Sequence, residues 1–355
     1  MNHDEQATWQ RHCPVPVPLD GERITLAHGE GGRVMRKFIR ESIVSSLGDE
    51  VLHSMGDATH LPQIDGRLAF TTDSFVVSPL FFPGGNIGSL SVYGTVNDLA
   101  VSGARPLYLA LSLILEEGLP LAIVDRVLES VAQAAVATSA RIVTGDTKVV
   151  PRGMADGLFI NTTGVGQLIG PVPPGPSSLC EGDELIVTGP IGQHGIAVMC
   201  AREELSLEPP PQSDSGSLVR VAVLLREQLG TRLRTMRDAT RGGVTAVLHE
   251  WAEASQHTLT ISQADIPISP SVRGACELLG LDPLHVANEG TLVAAVEQGF
   301  ADLALRALHS CPESVGAARI GRVEQRGFAP VTIRRTLGPD QPLDDPTGAP
   351  LPRIC

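Results

Sequence analysis

Short acidic, basic and glycine-rich segments recur along the chain in combinations that suit a phosphate held by a divalent cation. Thr71-Thr72-Asp73-Ser74-Phe75 closes an apolar run on an aspartate, a frequent metal or phosphate position in αβ proteins and equally a turn position. In Gly94-Thr95-Val96-Asn97-Asp98, helical spacing puts Leu90, Gly94 and Asp98 on one stripe. A carboxylate on so apolar a face is costly to desolvate unless it is paired or bound to a metal. Gly94, one turn earlier, leaves room for a ligand.

Val143-Thr144-Gly145-Asp146-Thr147-Lys148 reads as a strand running into a glycine turn. The turn presents Asp146 for Mg²⁺, Thr147 for a phosphate oxygen and Lys148 for developing negative charge. It is not a P-loop, because the G-x-x-x-x-G-K-[ST] pattern is absent. His28-Gly29-Glu30-Gly31-Gly32 precedes an amphipathic stretch, so the backbone N–H groups of Gly31 and Gly32 suit a phosphate, with Glu30 an acidic neighbour. Arg237-Asp238-Ala239-Thr240-Arg241-Gly242-Gly243 opens a helix and offers Arg241 to an anion and Asp238 to a metal. Asn288-Glu289-Gly290, taken alone, is an ordinary turn. Together these groups suit a Mg–nucleotide site.

The chain ends on a cysteine, Cys355. Five prolines and two glycines among the last 18 residues exclude a helix there and disfavour packed structure. Fully extended, such a segment reaches roughly 55–60 Å. Residues 336–355 are therefore expected to form a flexible arm carrying a thiol. That thiol's unperturbed pKa, near 8.5, leaves only a few per cent as thiolate at neutral pH.

The elements that must position these groups fall into two αβ regions, as the 355-residue length allows. Apolar residues make up 42% of the chain and aromatics 3%, so the core is built from Val, Leu, Ile and Ala. Leu68–Phe75, Leu107–Leu115, Arg141–Thr144 and Leu158–Thr162 read as strands, and Asn86–Ser102 and Leu121–Ser139 as helices. After the Pro-rich linker Pro171–Ser178, strands are expected at Glu184–Val187 and Thr291–Val296. Helices are expected at Ser217–Leu229, Gly243–Ala254, Ser271–Leu279 and Ala301–His309. The resulting division is a Pro-rich extension over 1–25, an N-terminal domain over 26–170, a C-terminal domain over 179–335 and the tail.

A net charge of −13 gives no general attraction for nucleic acid or an anionic membrane. No signal-peptide pattern opens the sequence, no apolar run is long enough for a membrane span, and the six scattered cysteines contain no CxxC pair. A cytoplasmic enzyme with reduced thiols is expected.

The motifs HG-x-GG, TTDSFVVSPLFFPGGNIG, NDLAVSGA, ILEEGLP, VTGDTKVV, RDATRGGV, VRGACELLGLD, NEG and the terminal PRIC resemble those of the HypE family. These are hydrogenase-maturation carbamoyl dehydratases of the AIR-synthetase-like (PurM-like) superfamily. The likeness spans about residues 24–355, and the terminal PRIC is the part specific to HypE.

The resemblance implies an α/β (α+β) two-domain PurM-like fold, a homodimer with a β-barrel-like core built from the N-terminal domains, and ATP between the domains. It further implies that Cys355 receives a carbamoyl group from the carbamoyltransferase HypF. ATP-dependent dehydration then makes a thiocyanate, and cyanide passes to iron on a HypC–HypD complex. On that reading Asp73, Asp98 and Asp238 hold Mg²⁺, with Asp146 and Thr147 nearby. Lys148 stabilises charge and Glu289 takes the N–H proton. The alternatives are another ATP-dependent synthetase of the superfamily, or a non-catalytic carrier of the carbamoyl or cyanide group.

Overall fold

The computed structural model describes residues 22–345, Leu351 and residues 353–355. Most of the predicted N-terminal extension lies outside the described residues. Among the described residues, Ile24 is already fully buried.

The N-terminal region begins with α1 (Arg33–Phe38), which runs through a π turn at Ile39–Val44 into the short α2 (Ser45–Leu47). There follow β1 (Leu68–Phe75), a small hairpin of β2 (Phe81–Phe82) and β3 (Gly85–Asn86), and α3 (Ile87–Val101). Asn86 caps α3, its side chain accepting from the N–H groups of Gly88 and Ser89. Then come β4 (Ala104–Glu116), α4 (Leu121–Thr138), β5 (Arg141–Val150) and β6 (Leu158–Leu168).

The sheet order is β1-β6-β4-β5. Only β4 and β5 run parallel, and α4 is the crossover that such a pair requires. The sheet is open, with β1 and β5 as its edges. One face is covered by α3 and α4, burying Leu109, Leu111, Leu113 and Leu115 against Leu90, Val96 and Leu128. The other face is left partly exposed, with Phe70 at 73% and Leu68 at 52% of full exposure.

The C-terminal region adds β7 (Glu184–Val187), α5 (Gln193–Arg202), α6 (Val219–Leu229), β8 (Leu233–Asp238), α7 (Gly243–Ser255) and β9 (Thr258–Ser262). It continues with α8 (Pro270–Leu279), β10 (Leu292–Val296), α9 (Ala301–His309), β11 (Ala318–Glu324), β12 (Val331–Arg334) and β13 (Gln341–Pro342). These strands form a seven-stranded sheet in the order β13-β12-β9-β11-β7-β10-β8. Fully buried Val293, Ala294 and Ala295 on β10 explain why its sequence is a continuous apolar run. No described helix is long and apolar enough to cross a membrane.

Two expectations are corrected. Gly145 is not a turn residue: β5 continues through it to Val150, and it is glycine because a Cβ there would run into the Leu111 carbonyl of β4. Gly94 lines the cavity described below, and it is glycine because a Cβ there would meet the Phe75 ring. The tail is not a free arm. β13 pairs with β12, and the last residues are docked against the N-terminal region, with the Ile354 side chain 4% exposed in the same core as Leu90 and Leu128. Burial of Leu343, Leu351 and Ile354 outweighs the proline content that argued against packing.

Candidate active site

A cavity of about 970 Å³ opens between the two regions and is lined by Asp73, Asp98, Asp238, Arg241, Glu289 and Cys355. Each arrives on a different part of the fold. Alternation along β1 turns Ala69, Thr71 and Asp73 toward the helix face of the sheet. There Thr71 Oγ1 donates to Asp98 Oδ2 of α3 at 2.9 Å. Asp238 is the last residue of β8, and Arg241 follows in the loop leading to α7.

Glu289 sits just before β10, 3% exposed. Its backbone is held on both sides. The N–H groups of Glu289 and Gly290 donate to the two oxygens of Asp214 at 3.0 and 3.1 Å. The Glu289 carbonyl accepts from Gly216 N–H and from Asn97 Nδ2. Gly290 is glycine because a Cβ there would collide with the Asp214 carbonyl. Asn97, the neighbour of Asp98 on α3, also accepts from Leu218 N–H at 2.7 Å, so one amide joins α3, the 213–218 loop and the Glu289 turn.

Crowding of buried carboxylates dominates the electrostatics. Burial, then the charge of Asp98, pushes Asp73 up to about 6, with Arg241 opposing. Burial raises Asp98 as well, against the Thr71 hydrogen bond and the charges of Arg237 and Arg241. Asp238 is pushed up to about 7 by burial and by Asp98. Glu289 lies well above the ordinary carboxylate range, through burial first and then through Asp238, Asp214, Asp73 and Asp98. So many carboxylates facing one cavity call for cations from outside the chain. Among the described residues no three such groups pack closely enough to chelate a metal unaided. That arrangement suits Mg²⁺, which takes a few carboxylates and completes its shell with water and phosphate oxygens.

The last residues of the tail, 353–355, lie along residues 76–78, with Arg353 in a turn at φ +56°. Val76 N–H donates to Cys355 O at 3.2 Å and Ser78 N–H to Arg353 O at 3.3 Å. Arg202 donates to Ser78 O at 2.9 Å and to Arg353 O at 2.6 Å, while the Arg353 guanidinium pairs with Asp156. His194 Nε2–H donates to Ile354 O at 2.9 Å. Burial pushes the Cys355 thiol up to about 12, with Glu289 and Asp73 adding and Arg241 opposing. A docked free thiol is therefore protonated and a poor nucleophile.

The predicted residues divide into two groups. Asp73, Asp98, Asp238, Arg241, Glu289 and Cys355 share the cavity. Asp146, Thr147 and Lys148 do not line it. Asp146 and Lys148 are exposed, paired with each other at 3.3 Å, on the opposite face of the sheet and at its other edge. The glycine-rich loop belongs with this second group: Gly29 abuts Val149 of β5, and Gly31 and Gly32 lie open to solvent. Sequence reasoning missed Asp214, Asn97, His194 and Arg202. Asp214 sits in the loop PPPQSDSGS, whose composition signals only irregular backbone.

Residues 55–168 match the family "AIR synthase related protein, N-terminal domain", and residues 181–333 match the corresponding C-terminal domain. Carbamoyl dehydratase HypE of Escherichia coli (strain K12) is 46% identical over 337 residues, covering 94% of this chain and 99% of that protein. A crystal structure of hydrogenase maturation protein HypE in complex with ATP superposes with a TM-score of 0.87 at 40% identity, covering 93% of this chain and 99% of that one. The HypE subunit type also appears in a crystal structure of a HypE–HypF complex, with a TM-score of 0.76 at 40% identity over 87% of this chain and 99% of the matched one. The chain belongs to the HypE family of carbamoyl dehydratases, within the AIR synthase related proteins.

Proposed function

We propose that the chain uses ATP to dehydrate a carbamoyl group carried on Cys355 Sγ, giving a thiocyanate for hydrogenase maturation. The observation that carries the reading is that Cys355 lies in one cavity with Asp73, Asp98, Asp238 and Glu289. An S-carbamoyl group, S–C(=O)–NH₂, does not lose its oxygen directly, because hydroxide is a very poor leaving group. Transfer of the terminal phosphoryl group of ATP to the carbamoyl oxygen makes that oxygen part of a phosphate. One N–H proton leaves on phosphorylation, giving S–C(=NH)–OPO₃²⁻ and ADP; removal of the second N–H proton then expels phosphate and leaves S–C≡N.

The chain's own groups fit these demands. Arg241 lines the cavity, where its charge would meet the phosphates. Glu289, whose buried carboxylate is an unusually strong base, takes the nitrogen proton. Asp73, Asp98 and Asp238 would hold Mg²⁺, which supplies charge neutralisation for the triphosphate.

Lys148, Asp146 and the Gly31–Gly32 loop are too far round the sheet to join the cavity of their own chain, so we assign them to the cavity of a second copy. The partly exposed sheet face bearing Leu68, Phe70 and Ile114 is the surface on which a homodimer with a β-barrel-like core would close. The raised pKa of the docked thiol supports one order of events. Carbamoyl transfer from HypF takes place with the tail released, where the thiol regains an ordinary pKa. Dehydration takes place with the tail docked. A HypC–HypD complex accepts the cyanide. The five free cysteines described suit a reducing cytoplasm.

Mass spectrometry of the C-terminal peptide tests the reading. The peptide is expected to gain one carbamoyl group from HypF and to lose one water only when ATP is added. An adduct that stays intact with ATP refutes it.

A further inference from the structure

One buried polar group near the cavity has no part in the chemistry above. His194, in the first turn of α5, is fully buried, and its two ring nitrogens have different partners. Nε2 lies 2.9 Å from the Ile354 carbonyl of the tail, and Nδ1 lies 2.8 Å from Ser213 Oγ. A carbonyl only accepts, so Nε2 carries the proton and Nδ1 accepts from Ser213. The Phe82 ring stands edge-on to the imidazole at 5.3 Å and fixes its plane. Ser213 is itself tied down, its N–H donating to Pro83 O and its Oγ accepting from Ser215 N–H. The next residue, Asp214, is the group that caps the Glu289 and Gly290 amides.

We propose that His194 is a positioning residue for dehydration: it latches the docked tail through the Ile354 carbonyl and ties that latch, through Ser213, to the loop that seats Glu289. The inference rests on the reading of Cys355 as the carrier of the reacting group. Burial holds the imidazole pKa down to about 4, so the ring stays neutral, with one donor and one acceptor, throughout the working pH range. The latch grips the backbone one residue before Cys355, so it is indifferent to what Sγ carries. Free thiol, carbamoyl and thiocyanate forms of the tail are all offered the same seat. The latch therefore acts on the step that needs the tail inside and not on the step that needs it outside.

Two substitutions separate the contacts. The amide of His194→Asn takes the place of Nδ1, which keeps Ser213 but falls short of Ile354. The amide of His194→Gln takes the place of Nε2 and still donates to the tail. Iodoacetamide labelling of Cys355 is followed on the C-terminal peptide, beside single-turnover dehydration and the rate of carbamoyl transfer from HypF.

His194→Asn is expected to label about tenfold faster than wild type and to dehydrate about tenfold slower, the effect of one lost hydrogen bond. Carbamoyl transfer is expected not to slow, and His194→Gln to label at close to the wild-type rate. Equal labelling of wild type and His194→Asn overturns the proposal, as does an equal change in both variants. Should wild type carry the carbamoyl group without dehydrating it, the functional reading fails while the labelling still decides the latch. Should His194→Asn not fold, the wild-type protein serves: the Nε2 proton of His194 is expected to exchange with solvent faster once residues 353–355 are removed. Unchanged exchange overturns the latch.

Discussion

Asp73 and Asp146 stand in adjacent rows of the same four-stranded sheet, on its two edge strands, and face opposite ways. Asp73 is in register with Thr162, Leu111 and Gly145, the buried row beneath α3. Asp146 belongs to the next row, with Ser112 and Asn161, on the uncovered face. At about 4.8 Å per strand the two edges are roughly 14 Å apart. The two carboxylates therefore do not share one cavity within a single chain, and on the proposed reading Asp146 and Lys148 serve the cavity of a second copy.

That geometry predicts complementation. Homodimers of Lys148→Ala and of Cys355→Ala are each expected to make no thiocyanate. A heterodimer of the two contains one active centre with an intact cysteine and an intact lysine, and recovers up to half of wild-type activity. Thiocyanate formation by purified, differently tagged heterodimers checks this; an inactive heterodimer places Lys148 in its own chain's site.

Phe70→Asp places a charge on the uncovered face, on its edge strand β1, while leaving the α3–α4 side untouched. Light scattering is expected to show a monomer, or a dissociation constant raised at least about 100-fold, worth roughly 3 kcal/mol. Dehydration is lost with the dimer. The fold itself persists, because Phe70 is exposed in the chain.

Glu289→Gln removes the proposed base with little change in shape. Dehydration is expected to fall by about 10²–10⁴, the usual range for a lost general base, while carbamoyl transfer to Cys355 is unchanged. In wild type the dehydration rate rises with pH as Glu289 ionises, and that limb lies above the ordinary carboxylate range because burial and the neighbouring aspartates raise its pKa. Rates across pH 5–9 for both proteins check the assignment; a rate unchanged by the substitution removes Glu289 from the mechanism.

Asp238 links the site to stability. Its folded pKa of about 7 lies above the unfolded value of about 3.9, so the folded state holds the proton more tightly. Its cost to stability is absent below pH 4, grows between pH 4 and pH 7, and is complete above that. Asp238→Asn is therefore expected to stabilise the nucleotide-free protein at pH 8 by on the order of 1–3 kcal/mol and to change little at pH 4. Urea unfolding at the two pH values reads this. The same variant binds Mg–ATP more weakly.

Much of the fold was legible in local patterns. Ala301–His309 and Leu68–Phe75 are found as the spacing predicts, and apolar alternation and caps such as Asn86 place most of the other helices and strands. The short aspartate motifs singled out the cavity carboxylates because an acidic residue beside an apolar stripe is costly without a partner. Sequence alone does not say which motifs meet. Asp146 and Asp73 read alike, and strand order together with register separates them. The docking of the tail is hidden for a related reason: proline content reports on helix formation, whereas docking depends on distant apolar surfaces around Leu351 and Ile354. His194 and Asp214 carried no local signal, because their partners lie 160 and 75 residues away in the chain.

On the proposed route the carbamoyl oxygen on Cys355 leaves as phosphate. Loading the tail with an ¹⁸O-labelled carbamoyl group, adding ATP for one turnover and measuring the mass of the phosphate released follows that oxygen. One ¹⁸O in phosphate for each thiocyanate formed on the C-terminal peptide is the predicted result. Label in bulk water, or label retained on Cys355 while ATP is consumed, contradicts it.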